Sequence, residues 1–120
     1  MTNPAKAKGS QFERDVVAAL KPLFPKAERR FGAGQQQDKG DIIGVPNVAI
    51  ECKNLGKITL ASVMDETLKE RDHAGELFGA AVIKRRGRGA CEAYVVMSLE
   101  QWSLMALMAA KPAGQPVEQG

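Results

Sequence analysis

Asp41, Glu51 and Lys53 are charged residues standing where strand-forming sequence is otherwise apolar. In Val48-Ala49-Ile50-Glu51-Cys52-Lys53 the side chains alternate between two faces of a strand. Val48, Ile50 and Cys52 take one face, and Ala49, Glu51 and Lys53 take the other. Alone, Glu51 and Lys53 would be an ordinary wet strand face. Asp41 changes this if the preceding strand brings it alongside. A two-residue turn at Pro46-Asn47 pairs Val45 with Val48 and turns Asp41 away from Glu51. A three-residue turn, Val45-Pro46-Asn47, pairs Gly44 with Val48 and sets Asp41 opposite Glu51. Opposed side chains have Cβ atoms about 5 Å apart, so both carboxylates would reach one cation. The expectation is that register, or a bend at Asp41 with the same effect.

These residue types suit a hard divalent cation. Mg²⁺, with Mn²⁺ able to substitute, prefers carboxylate, carbonyl and water oxygens. Two carboxylates leave positions for water and a phosphate oxygen, and the ion acidifies the water. An ammonium such as Lys53 orients that water or offsets developing charge. The single histidine, His73, is too little for a zinc site and reads as a helix surface residue.

The elements that must position these groups read as helix, strands, helix, strands, helix. Residues 1–9 are small, polar and lysine-bearing, and are expected to form a flexible basic arm. Ser10-Gln11-Phe12-Glu13 fits a capping box, with Phe12, Val16, Ala19, Leu20 and Leu23 following at helical spacing. Pro22 and Pro25 end that helix. A short strand over Ala27–Phe31 leads into a polar loop from Gly32 to Gly40, expected to be mobile. Strands follow at 42–45 and 48–53, then a helix from Thr59 or Leu60 to about Gly75. Gly79–Lys84 and Glu92–Ser98 read as a hairpin across an Arg/Gly turn. Ser98-Leu99-Glu100-Gln101 is a second possible capping box, opening a helix to about Ala110. Residues 112–120 have the composition of a disordered tail. The fold class is α/β, a sandwich with a small mixed sheet flanked by helices, and its domain spans residues 10–111.

The 120 residues fit one domain, and 44% hydrophobic content supports a core that must be mostly aliphatic, since only 5% is aromatic. No apolar run is long enough to span a membrane, and Met1–Gly9 has no apolar signal core, so a cytoplasmic setting is expected. Cys52 and Cys91 are unclustered, and Cys52 reads as a small buried residue. A net charge of +3 suggests a polyanionic partner only weakly. Its distribution says more, with one cationic cluster in the first third and another at Lys84-Arg85-Arg86-Gly87-Arg88.

Asp41 followed by Ile50-Glu51-Cys52-Lys53 resembles the Asp…Glu-x-Lys signature of the PD-(D/E)xK nuclease superfamily. The short signature is weak alone. With Lys8-Gly9-Ser10, Glu13-Arg14, the polar loop and Gly40-Asp41-Ile42-Ile43, the stretch from Lys6 to Asn54 resembles the archaeal-type Holliday junction resolvases. Small phage-encoded resolvases are similar in size. The resemblance implies a restriction-endonuclease-like three-layer sandwich and a homodimeric, Mg²⁺-dependent endonuclease resolving four-way DNA junctions. It implies that Glu13 joins Asp41 and Glu51 at the metal, with the Cys52 backbone carbonyl as a further ligand and Lys53 as the fourth catalytic residue. The capping box gives Glu13 a competing structural role. DNA would be gripped by Lys6, Lys8, Ser10, Arg14, Arg29, Arg30 and Lys39, with Lys84 and Arg85 as further backbone contacts. The loop departs from the family by carrying Gln35-Gln36-Gln37 and Lys39 as its one cation, so Arg29 and Arg30 would take over phosphate grip. Apolar residues around much of the last helix, Trp102, Leu104, Met105, Leu107 and Met108, suit a dimer surface. Two other readings remain: a different nuclease of the superfamily, restriction-like or acting on DNA ends, and a nucleic-acid-binding module without catalysis.

Overall fold

Phe12, Val16 and Val17 form the buried face of the first helix, α1 (Pro4–Leu20), in a computed structural model that describes residues 4–30 and 40–110. The helix begins six residues ahead of the expected Ser10. Proline suits a first helical position, where no N–H partner is needed, and Lys6, Ala7 and Lys8 favour helix. The expected arm is therefore helical from Pro4 onward, and Ser10 lies inside the helix rather than at its cap. Lys39, most of the polar loop and the tail at 112–120 lie outside the described residues.

The remaining elements are β1 (Glu28–Arg29), β2 (Ile42–Ile43), β3 (Val48–Lys53), α2 (Leu60–Ala74), β4 (Phe78–Ile83), β5 (Tyr94–Val96) and α3 (Leu99–Ala109), with a 3-10 turn at Ala90–Glu92. They form an α/β domain around a five-stranded mixed sheet in the order β1-β2-β3-β4-β5. The β3–β4 pair is parallel and joined through α2, and the other pairs are antiparallel. The expected hairpin of β4 and β5 is present, and residues 84–93 between the paired Ile83 and Tyr94 hold the 3-10 turn.

The strand alternation sorts β3 between two helices. Ile50 packs with Phe12, Val16, Val17, Ile42 and Val82, and Val48 and Cys52 sit against that cluster on the α1 side. Glu51 and Lys53 face α2, whose buried stripe is Val63, Thr67 and Glu70. Glycine 75 closes α2 in the left-handed region and donates its N–H to the Arg71 and Asp72 carbonyls. At α3, Ser98 is the N-cap and its hydroxyl accepts the Gln101 N–H at 3.3 Å. The Gln101 side chain turns inward instead of completing a capping box, and its Oε1 accepts the Gly79 N–H at 2.7 Å. Gln101 is the one buried residue of α3.

The register that decides Asp41 pairs Ile42 with Ile50, which is that of the three-residue turn. The chain reverses at Pro46-Asn47, where Asn47 has φ 70° and the Val48 N–H reaches the Val45 carbonyl at 3.4 Å. Gly44, at φ 93°, absorbs the extra residue. A Cβ there would lie 2.0 Å from the Lys26 carbonyl oxygen, so only glycine fits. Gly44→Ala should therefore destabilise the fold by at least ~2 kcal/mol in urea unfolding, from left-handed strain plus the overlap. A change within the scatter of surface substitutions would mean that Gly44 does not set the register.

Candidate metal centre

Past the Ile42–Ile50 pair the chain bends at Asp41, whose carboxyl comes near enough to Glu51 for the two charges to act on each other. The backbone of Asp41 is held on both sides. Its N–H donates to the Ile50 carbonyl at 2.7 Å, and its carbonyl accepts the Arg30 N–H at 2.8 Å. Its carboxylate Oδ2 accepts the Cys52 N–H at 2.8 Å, which fixes the side chain at the end of β3. Gly40 just before it has φ 98°, and a Cβ there would press to 3.0 Å on the Ile50 carbonyl oxygen.

Glu51 is 6% exposed, and its Oε2 is buried with no hydrogen-bond partner. Its Oε1 lies 3.5 Å from Lys53 Nζ. Lys53 Nζ also donates to both oxygens of Glu66, each at 3.1 Å. Glu70, 1% exposed, stands on the α2 side of Glu51 and interacts with it. The strand face of Glu51 and Lys53 is thus covered by α2, and it meets two further carboxylates there.

This crowding explains the electrostatics. Burial, then the charge of Glu51, pushes the Asp41 carboxyl up to about 8, against the pull of the Cys52 N–H. Burial, then Glu70, pushes Glu51 up to about 9, with Lys53 opposing. Burial also raises the Cys52 thiol, leaving it a neutral packing residue. For Lys53, burial works to lower the ammonium, but Glu66 and Glu51 outweigh it and hold it above its ordinary range. Carboxylates in such an array need protons or a cation, and the orphaned Glu51 Oε2 is an oxygen of the kind a hard divalent ion takes. The donor set fits Mg²⁺ or Mn²⁺.

Glu13 approaches from α1. Its charge contributes to the shift at Asp41, and its Oε1 accepts from Arg29 Nε at 3.0 Å. The anticipated capping role is absent because Glu13 lies well inside α1. Arg29, expected at phosphate, thus has its Nε on Glu13, and Arg30 donates from Nε to the Gly40 carbonyl at 3.2 Å. The Cys52 N–H, rather than its carbonyl, is the group that touches Asp41.

Past the C-terminal ends of the parallel strands, Lys8, Asn54, Leu55, Gly56, Lys84, Arg86 and Gly87 line a cleft of about 200 Å³. Asn54 was not anticipated, and Arg86 only as a member of the second cationic cluster. Lys84 Nζ donates to the Arg88 carbonyl at 3.0 Å and sits 5.9 Å from the Phe12 ring centroid. Arg85 stands apart over Tyr94, and Arg14 bonds Gln11 on the exposed side of α1. Lys6 is exposed and Ser10 half-buried on the same helix.

The carboxyl shifts fix how stability depends on pH. Asp41 and Glu51 hold protons in the folded protein that the unfolded chain loses above its ordinary values of 3.8 and 4.5. The folded state then binds more protons, so stability falls as pH rises from about 4 and levels off only near 8 to 9. Thermal melts in EDTA should show a lower Tm at pH 8.5 than at pH 5, and Asp41→Asn should flatten the difference. Mg²⁺ should raise Tm more at pH 8.5 than at pH 5, because it competes with those protons.

No family model matches the chain, and no curated protein or solved structure matches it either.

Proposed function

We propose that this protein is a metal-dependent DNA endonuclease that hydrolyses phosphodiesters in branched DNA, four-way junctions above all. The observation that carries the reading is Asp41 brought near Glu51, with Lys53 on the face of Glu51 and a basic cleft past the end of the same strand. The resemblance of residues 6–54 to archaeal-type resolvases supplies the junction and the restriction-endonuclease-like fold, and the α/β mixed sheet is compatible with both.

In this reading Asp41 and Glu51 hold Mg²⁺, with Glu13 and the Cys52 carbonyl completing the ligands. The ion, when bound, supplies an acidified water and offsets charge on the phosphate. Asp41 is oriented by the Cys52 N–H, so its second oxygen is left to bind. Lys53 carries a charge that Glu66 and Glu51 stabilise, and it meets the scissile phosphate as a fixed cation. Lys8, Lys84 and Arg86 take the neighbouring phosphates along the cleft. A helix N-terminal half carrying Lys6, Lys8, Ser10 and Arg14 extends that contact on α1. Arg30, Lys39 and Arg85 complete the cationic set toward the flanking duplex.

A two-fold dimer belongs to the same reading, since paired cuts in a symmetric junction ask for paired sites. Its support is α3, where Trp102 is 57% exposed and Leu99, Leu107 and Met108 are also open. Among the described residues no helix is long and apolar enough to cross a membrane, so this face is not explained by a span.

The deciding experiment is a cleavage assay on labelled four-way junction, linear duplex and flap DNA with Mg²⁺. Wild type should place symmetric nicks in the junction, while Asp41→Asn, Glu51→Gln and Lys53→Ala should each lose on the order of 10²–10³-fold in rate and still bind. Preferential attack on linear ends would replace the junction with another substrate of the same chemistry. Binding without cleavage by wild type, with either Mg²⁺ or Mn²⁺, would make the protein a binding module. Light scattering should give twice the chain mass, and Trp102→Glu should return it to one.

A further inference from the structure

Tyr94, the chain's one tyrosine, opens β5 at the end of the sheet where β3 and β4 finish. Lys53 pairs with Ile83, and Ile83 pairs with Tyr94, so the three side chains share one face of the sheet. Helix α2 packs on β3 and β4. Ile83 is buried under that cover, while Tyr94, one strand farther out, is 53% exposed.

The chain after β4 sorts its cations between the two faces. The Lys84 N–H donates to the Lys53 carbonyl at 2.9 Å, so the segment leaves β4 still extended. Lys84 and Arg86 line the basic cleft with Lys8 of α1. Arg85, between them, turns toward β5 and sets its guanidinium 5.9 Å from the Tyr94 ring centroid. A DNA strand crossing the end of β4 therefore meets two different surfaces. On the α1 side are cations for its phosphates. On the other side are a flat ring and a planar guanidinium, both of which stack on bases. A cationic groove beside an exposed aromatic ring is the combination that holds an unpaired strand.

The geometry points to Tyr94, backed by Arg85, as a stacking platform for an unpaired base of the DNA strand whose phosphates lie in the cleft. The inference rests on the function proposed above for those phosphates, and it adds how the protein tells a branch from plain duplex. Inside a duplex each base is stacked between two neighbours and offers Tyr94 no face. A base beside a branch point has lost a neighbour, and the ring replaces it. Tyr94 is thus a specificity-determining residue that acts on strand state. Stacking accepts any base, so sequence preference from this contact is weak, and the phenol hydroxyl is not needed.

The test measures DNA binding by the full chain in EDTA, where no cut intervenes, using fluorescence anisotropy. The probes are a blunt duplex, the same duplex carrying a single-stranded thymidine arm, and that arm with abasic sites in place of its bases. Wild type should prefer the thymidine arm to both other probes by at least about 5-fold. Tyr94→Ala should erase this preference without weakening the abasic arm, and Tyr94→Phe should keep it. Arg86→Ala should weaken all three probes alike, because it acts on phosphate. A fluorescent purine where the arm leaves the duplex should be quenched by wild type and not by Tyr94→Ala. Equal binding of the thymidine and abasic arms, or a Tyr94→Ala loss that is the same on every probe, overturns the platform. Base-dependent binding by a protein that never cuts with Mg²⁺ upholds the platform and overturns the nuclease reading. Junction cleavage by a protein indifferent to unpaired bases does the reverse.

Discussion

A slip of one residue between β2 and β3 would turn Asp41 toward α1 and away from Glu51, and the candidate centre would not exist. Two devices prevent the slip. The left-handed Gly44 absorbs a residue where no side chain fits against Lys26, and Ile42 is almost fully buried in the cluster with Phe12, Val16 and Ile50. The hydrophobic side of the strand pair thus enforces the position of the polar side. Asp41 adds its own lock by accepting the Cys52 N–H, so backbone register and carboxylate orientation are one constraint.

That constraint carries an energetic burden, because it buries carboxylates close together. Like charges directly opposed on a strand pair are destabilising, and α2 deepens the conflict by placing Glu70 behind Glu51. The raised carboxyls, the Lys53 bridge and the Arg29–Glu13 pair are ways of neutralising the same excess. Burial of this kind contributes nothing to packing that apolar side chains would not do better. Under the proposed function, a binding role would account for it.

Much of this arrangement was legible in the sequence, for local reasons. Glu51 and Lys53 share a face because side chains alternate along a strand. The choice of register could be posed from Pro46-Asn47 and Gly44, since turn residues act over a few positions. The start of α1 was misread because Ser10 and Glu13 mimic a cap, while the helix-forming run of Lys6, Ala7 and Lys8 behind Pro4 weighs more. Glu66 and Glu70 were missed because they reach the site only through the crossover of α2 between parallel strands. A signal did exist: Glu70 continues the helical stripe of Val63 and Thr67, where an apolar residue would be expected. Arg29 was read as a phosphate contact, but the side-by-side run of β1 and α1 gives its Nε a nearer anion in Glu13.

The parallel β3–β4 pair, described above as architecture, also has a kinetic meaning. Asp41 and Glu51 meet through a short hairpin, whereas Glu66 and Glu70 arrive only when a long crossover closes Phe78–Ile83 onto β3. Chain closure over greater separation is slower and costs more entropy. The hairpin half of the centre can therefore assemble while its carboxylates are still hydrated, and the α2 half dehydrates them afterward. Proton or cation uptake then belongs to a late folding step, and ionic conditions during synthesis bear on how readily the chain completes its fold.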